Sequence, residues 1–338
     1  MTKYIIRRLL QFIPVLLVVV LFTFVLMRAI PGGPFDNVGD KALPPQVVAN
    51  IEAKYHLDWP LWKQFLSYVI GDDLLGEEGI SRGIIRGDLG PSLKYRNQTV
   101  NEIIGITLPV SFQLGVLSLL LALVIGIPAG VLAALNQNSW IDYTSTFFAV
   151  VFLSIPNLVL APLLVWIFAI TLGWFPVAQW GAKPPFLFGV FPQISELNVD
   201  FFSHAALPVF ALGTAASATI ARLTRGSLLQ VIREDYIRTA RSKGLRERTV
   251  VVIHGLKNSM IPVITILGPL FAALVTGTFI VEQIFGINGM GKHFVQSIGN
   301  RDYQVITGVT LIYAIFLIVA NLLVDITYAW LDPRIRFD

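Results

Sequence analysis

The run Gly286-Ile-Asn-Gly-Met-Gly-Lys-His293 has the spacing of a phosphate-cradling loop: a glycine, four residues, then glycine and lysine. Such a loop needs a Ser or Thr hydroxyl after the lysine to hold magnesium, with a strand before it and a helix after it. His293 stands in that place, so the magnesium ligand is missing. The four histidines, His56, His204, His254 and His293, form no His-Glu-x-x-His pair and flank no Gly-x-Ser-x-Gly elbow. Loop or interfacial positions suit each of them. Cysteine is absent, which removes thiolate nucleophiles, disulfides and cysteine metal sites.

What remains with chemical character is Arg233-Glu-Asp-Tyr-Ile-Arg-Thr-Ala-Arg-Ser-Lys-Gly-Leu245, which reads as a short capped helix. Asp235 is the predicted N-cap, its carboxylate accepting orphan backbone N–H bonds. Arg241 and Lys243 stand against the negative end of the dipole, and Gly244 can take the left-handed stop position. Tyr236 to Lys243 would make a rod about 12 Å long, too short to persist alone in water. It needs a surface, and Tyr236, Ile237 and Ala240 supply an apolar patch. Two surfaces fit: anionic lipid, or a soluble partner.

The elements that must position this segment follow from composition. Hydrophobic residues make up 55% of the 338, charged ones only 14%, which exceeds what a water-soluble fold presents. Six uncharged intervals, 9–27, 103–141, 143–182, 201–221, 259–281 and 304–324, are each long enough to cross a bilayer. Pro109, Pro128, Pro156 and Pro162 are expected to end or kink helices, which places spans near 108–135 and 146–172. The first interval, set between Arg8 and Arg28, lacks a small-residue cleavage site and reads as a retained anchor. Ionisable groups are expected only at span ends, as with Glu282 and Asp325, which weighs against a proton-relay carrier.

Cations in short loops set orientation. Lys3, Arg7 and Arg8, nine residues from Arg222 to Lys257, and Arg334 and Arg336 fall on one face. The opposite short loops hold only Lys183 in one case, and Lys292 and Arg301 in the other. Both termini are therefore expected in the cytoplasm; loop 136–141, without Lys or Arg, adds no support. The stretch 30–102 then lies outside. Pro44-Pro45 opens a helical pattern of Val47, Val48, Ile51 and Tyr55, and Asp58-Trp-Pro60 opens another of Leu61, Phe65, Leu66 and Val69. Residues 72–87 read as an exposed loop. The expected organisation is 1–29 as N-terminus and first span, 30–102 as an extracytoplasmic loop, and 103–338 as a transmembrane core with the basic loop 222–258. Small-residue pairs, Gly126 with Gly130 and Ala273 with Gly277, suit close helix packing. The glycine-rich run 286–293 falls between the last two spans, on the face opposite the basic loop, as a turn.

Asp235 to Leu245, followed by His254-Gly-Leu-Lys-Asn258 and Ile261-Pro262, resembles the coupling loop of ABC-type importer permeases of the dipeptide and oligopeptide group. Tyr4-Ile-Ile-Arg-Arg8, Pro31-Gly-Gly-Pro34, Gly87-Asp-Leu-Gly-Pro-Ser92, Ile284-Phe-Gly-Ile-Asn-Gly-Met-Gly291, Asn300-Arg-Asp-Tyr303 and Leu331-Asp-Pro-Arg-Ile-Arg336 look like that group's recurrent segments, in order. Residues 42–57 look most similar to the oligopeptide-permease B-type subunit. Where the general importer loop has Glu-Ala-Ala before its glycine, Arg238-Thr-Ala240 stands here, and Pro262 comes late; both are usual in the peptide subgroup. Residues 72–86 form a longer segment than in such relatives.

The resemblance implies an all-α membrane protein with six transmembrane helices of the type I ABC importer permease kind, a cytoplasmic coupling helix and a partly helical extracytoplasmic loop. It implies a bacterial inner-membrane permease for peptides, or alternatively for dipeptides or nickel. It further implies coupling through Asp235, Tyr236, Arg238, Thr239, Ala240, Lys243 and Gly244, and no catalytic residue or cofactor in this chain. ATP would be bound by two partner ATPases, beside a second permease subunit and an extracytoplasmic peptide-binding protein. The fifth span would line the pathway. A stand-alone secondary carrier and a membrane-embedded hydrolase are the rival readings; the hydrolase lacks a recognisable nucleophile and base.

Overall fold

The computed structural model of the chain describes residues 2–35, 44–77, 79, 81–95, 97–276 and 279–331. Among these the regular elements are helical: α1 (Thr2–Ala29), α2 (Pro45–Lys54), α3 (Leu61–Ile70), α4 (Val100–Leu135), α5 (Trp140–Ser154), α6 (Asn157–Leu164), α7 (Val199–Val231) and α8 (Asp235–Ser242). Then come α9 (Glu247–Thr249), α10 (Lys257–Ser259), α11 (Ile261–Thr276), α12 (Phe279–Ile284), α13 (Met290–Asn300) and α14 (Tyr303–Leu331). Five stretches are long and apolar enough to cross a membrane, namely Ile5–Ala29, Val100–Leu135, Val199–Val231, Ile261–Ile284 and Tyr303–Thr327. Their outward side chains stay apolar, as Leu10, Val18, Phe22 and Val124 do, because a lipid solvent rewards no polar surface.

The remaining crossing is a bent pair, Trp140–Ser154 and Asn157–Thr171, turned by 102°. Pro156 causes the break. The residue before a proline is pushed out of helical backbone, and Ile155 is extended at φ −85°, ψ 114°. The break expected at Pro156 is thus present, and the span near 146–172 starts earlier, at Trp140, as two rods, with Pro162 kept inside α6. Pro109 and Pro128, also expected to end or kink a helix, lie inside α4, which starts at Val100 rather than near 108.

The chain divides into two compact units. One comprises Met1–Arg8, Pro109–Gly289 and Phe316–Asp338. At its centre α7 is rich in small residues, and 61% of its apolar window is buried. Gly126 and Gly130 let α4 approach it closely: a Cβ at either would come within 2.6 Å of the carbonyl oxygen of Ser217 or Ala221. Ala273 is exposed, and Gly277 lies outside the described residues. The guanidinium of Arg225 clasps Asp142 with bonds of 2.5 and 2.7 Å, so α5 starts beside the C-terminal part of α7. Beyond the bent pair, Trp180 packs edge-on against Phe201 at the N-terminal part of α7. The pair therefore carries the chain from one end of α7 to the other, as a crossing must. Arg8 and Asp325 meet at 2.8 Å, bringing the start of the first span and the end of the last to one level.

Glu282 stands at a span end as expected, and it is fully buried. Ser111 Oγ donates to it at 2.6 Å, and a Cβ at Gly289 would collide with its carboxylate.

The second unit comprises Leu9–Leu108 and Met290–Ile315. Both short amphipathic helices expected in the loop are present as α2 and α3, packing Ile51, Tyr55 and Phe65 inward. Most described residues of the stretch 72–87 are exposed, as read, with short turns at Asp73–Leu75 and Ile84–Arg86. Asp72 is an exception: it is buried and accepts bonds from Ser67 Oγ in α3 and from the Ser81 amide.

Candidate functional site

The basic segment after α7 builds its own small scaffold. α7 ends at Val231, three residues turn the chain, and α8 runs from Asp235 to Ser242. The eight-residue length matches expectation, displaced by one position. Glu234 rather than Asp235 is the N-cap, and it makes no side-chain cap bond. Asp235 instead occupies the first helical turn, where its charge still favours the positive end of the dipole, and lies 3.4 Å from Arg238.

The C-terminus closes as expected. Gly244 takes φ +74°, its amide donates to the carbonyl of Arg241 at 2.9 Å, and the Leu245 amide reaches back to Ala240. This pair of bonds is the Schellman arrangement, which satisfies carbonyls that the helix leaves open. Arg241 then bridges to Glu247 at 2.6 Å across the turn. That bond holds the Glu247 carboxyl below its ordinary range.

Burial divides the expected patch. Ile237 is 0% exposed and Ala240 7%, both packed with Val250 and Val231 of the same chain. Tyr236 stays at the surface, where its hydroxyl accepts from Asn258 Nδ2 at 2.8 Å. Asp235, Tyr236, Arg238, Thr239, Lys243 and Gly244 are exposed together. The apolar side chains thus attach the rod, while the polar and cationic ones are presented outward. Val250–Leu256, between α9 and α10, is a π-helical turn, an irregularity concentrated at functional positions. Glu247 and Val250 were not singled out by sequence reading, and Asn258 entered it only within the quoted run His254-Gly-Leu-Lys-Asn258; the acidic Glu247 just beyond a glycine stop was the further local signal.

The glycine run 286–293 sits differently from a nucleotide loop. A helix, α12, precedes it in place of a strand, and Gly289 lies against the buried Glu282 carboxyl. Among the described residues no group of three or more His, Asp or Glu could hold a metal.

Residues 126–337 match the family described as the inner membrane component of binding-protein-dependent transport systems, and residues 1–115 match that family's N-terminal part. The chain belongs to this family. It is a multi-pass inner-membrane permease of the ABC importer kind. It is 42% identical over 337 residues to the oligopeptide transport system permease protein OppB of Haemophilus influenzae, with 100% of each chain covered. It is 41% identical to the dipeptide transport system permease protein DppB of Bacillus subtilis, covering 99% of this chain and 98% of that one. The fold resembles a permease chain in an inward-facing structure of the MetNI methionine ABC transporter, with TM-score 0.52 and 18% identity over 67% of this chain and 94% of that one.

Three of the permease's recurrent segments meet in its second unit. Asp302, from Asn300-Arg-Asp-Tyr303, is buried and accepts bonds from Ser92 Oγ and the Leu93 and Lys94 amides, next to Gly87-Asp-Leu-Gly-Pro-Ser92. Burial pushes its carboxyl up, against the pull of those donors. Arg301 and Tyr303 donate to the carbonyls of Gly33 and Gly32 in Pro31-Gly-Gly-Pro34.

Proposed function

We propose that this chain is one permease half of an ATP-driven uptake system for oligopeptides, and that α8 is the handle gripped by a separate ATPase. In this reading Asp235, Tyr236, Arg238, Thr239, Lys243 and Gly244 form the gripped face, and Ala240 helps to fix the rod beneath it. Two ATPases bind the nucleotide, a second permease completes the pathway, and an extracytoplasmic binding protein delivers the peptide. This chain carries no cofactor. Both termini and α8 lie on the cytoplasmic side, consistent with the cation bias and with the Arg8–Asp325 pair at one level.

The observation that carries the reading is the two-sided design of α8. Ile237 and Ala240 are locked to Val250, and Tyr236 is tied to Asn258, three residues before α11 begins. A push on the exposed face passes through these contacts into the span Ile261–Ile284, as a rigid two-state element requires. ATP-dependent uptake by proteoliposomes holding both permeases and both ATPases tests it, with binding protein and labelled peptide outside. Uptake is expected only with all components and ATP. Uptake by this chain alone, driven by an ion gradient, would overturn the proposal.

A dipeptide cargo is the second reading, because the Bacillus subtilis dipeptide relative is nearly as similar as the oligopeptide one. Competition between di- and pentapeptides in the same assay separates the two.

A further inference from the structure

α4, α5 and α7 enclose two hollows, of about 220 and about 350 Å³, which share Ala129, Ser145, Ala149 and Ala221 as a common wall. Small residues form their common wall, and bulky exposed ones complete the lining, Val150 in the smaller and Phe148 in the larger. A transmembrane helix partner packs through small residues on a surface it can approach closely. Here the small residues are recessed, which suits a thin flexible chain better than a rod.

The charge at one end specifies what that chain carries. Arg222 lines the smaller hollow and is exposed, and no described residue places a carboxylate within 4.0 Å of it. Its neighbour Arg225, one helical turn on, is already neutralised by Asp142. Trp140 and Tyr143 are 74% and 66% exposed at the same end of α5, the arrangement of aromatic side chains at a headgroup boundary. An apolar cleft that ends in an unneutralised guanidinium at that boundary matches an acyl chain joined to a negative headgroup.

We infer that these hollows hold the acyl chain of an anionic phospholipid whose phosphate rests on Arg222. A cation near a membrane surface contributes about a fivefold preference for anionic lipid. The test uses the intact transporter in nanodiscs of mixed phosphatidylglycerol and phosphatidylcholine, extracted in mild detergent and weighed by native mass spectrometry. Retained phosphatidylglycerol is expected on the wild type, about fivefold less on Arg222→Gln, and near wild-type retention on Arg222→Lys. Ala149→Phe, which fills the shared wall, should also lose it. Equal retention in wild type, Arg222→Gln and Ala149→Phe would overturn the inference. So would equal retention of phosphatidylcholine, or high-yield crosslinking of Ala149→Cys to the second permease in native membranes, which would make the occupant a protein.

Discussion

The Tyr236 hydroxyl accepts a hydrogen bond from Asn258 Nδ2 at 2.8 Å, joining the rod α8 to the turn that leads into α11. One exposed bond contributes about 1 kcal/mol to stability, so folding hardly depends on it. Transmission does. Tyr236→Phe and Asn258→Ala are each expected to lower peptide taken up per ATP hydrolysed, with little change in melting temperature. The double variant should be no worse than Tyr236→Phe alone, which removes this bond together with the longer one from the Tyr236 hydroxyl to the His254 carbonyl. Ratios of uptake to hydrolysis in proteoliposomes measure this.

On the proposed reading, attachment and docking separate by side of the helix. Ile237→Ala empties a fully buried site and should cost about 2–4 kcal/mol of stability, since the contacts with Val250 and Val231 are lost. Arg238→Glu, on the exposed face, should leave melting unchanged and weaken capture of the ATPase in a pull-down. Equal effects of both variants on melting would contradict the two-sided description.

Gly244 holds φ +74° with open space around its α-carbon, so strain alone limits replacement there. Gly244→Ala is expected to cost about 1 kcal/mol, and Gly244→Asn less, because asparagine tolerates the left-handed region. Thermal melting of the purified permease orders the three proteins.

The Arg241–Glu247 pair gives a pH signature. The folded chain keeps Glu247 ionised at lower pH than the unfolded chain does, since Arg241 donates to it. Its contribution is therefore complete above the ordinary glutamate value of 4.5 and disappears as pH falls below that. Wild type and Glu247→Gln should differ in melting at neutral pH and converge in acid.

Local signals made much of this legible. Glycine at 244 and cations in the last turn end α8 wherever the chain goes, and the length of an uncharged run fixes a span without reference to its neighbours. Prolines were ambiguous, because a helix in a membrane can keep one when surrounding groups satisfy the freed carbonyl. Pro109 and Pro128 fall in that class and Pro156 does not, a distinction that depends on partners distant in sequence. The same holds for buried carboxylates. Glu282 meets Ser111 across 171 positions and Asp302 meets Ser92 across 210, so no window of sequence displays either. The inward turn of Ile237 and Ala240 toward Val250 was hidden likewise, although their spacing had marked them as apolar.

The chain has no cysteine, so Thr239→Cys on the exposed face of α8 gives a single reporter for the coupling role. Labelling by a membrane-impermeant maleimide is expected in inside-out vesicles and absent in intact spheroplasts, and bound ATPase subunits should protect the thiol. Labelling in spheroplasts, or full reactivity in the assembled transporter, would contradict the claim that this helix is the cytoplasmic handle of the pump.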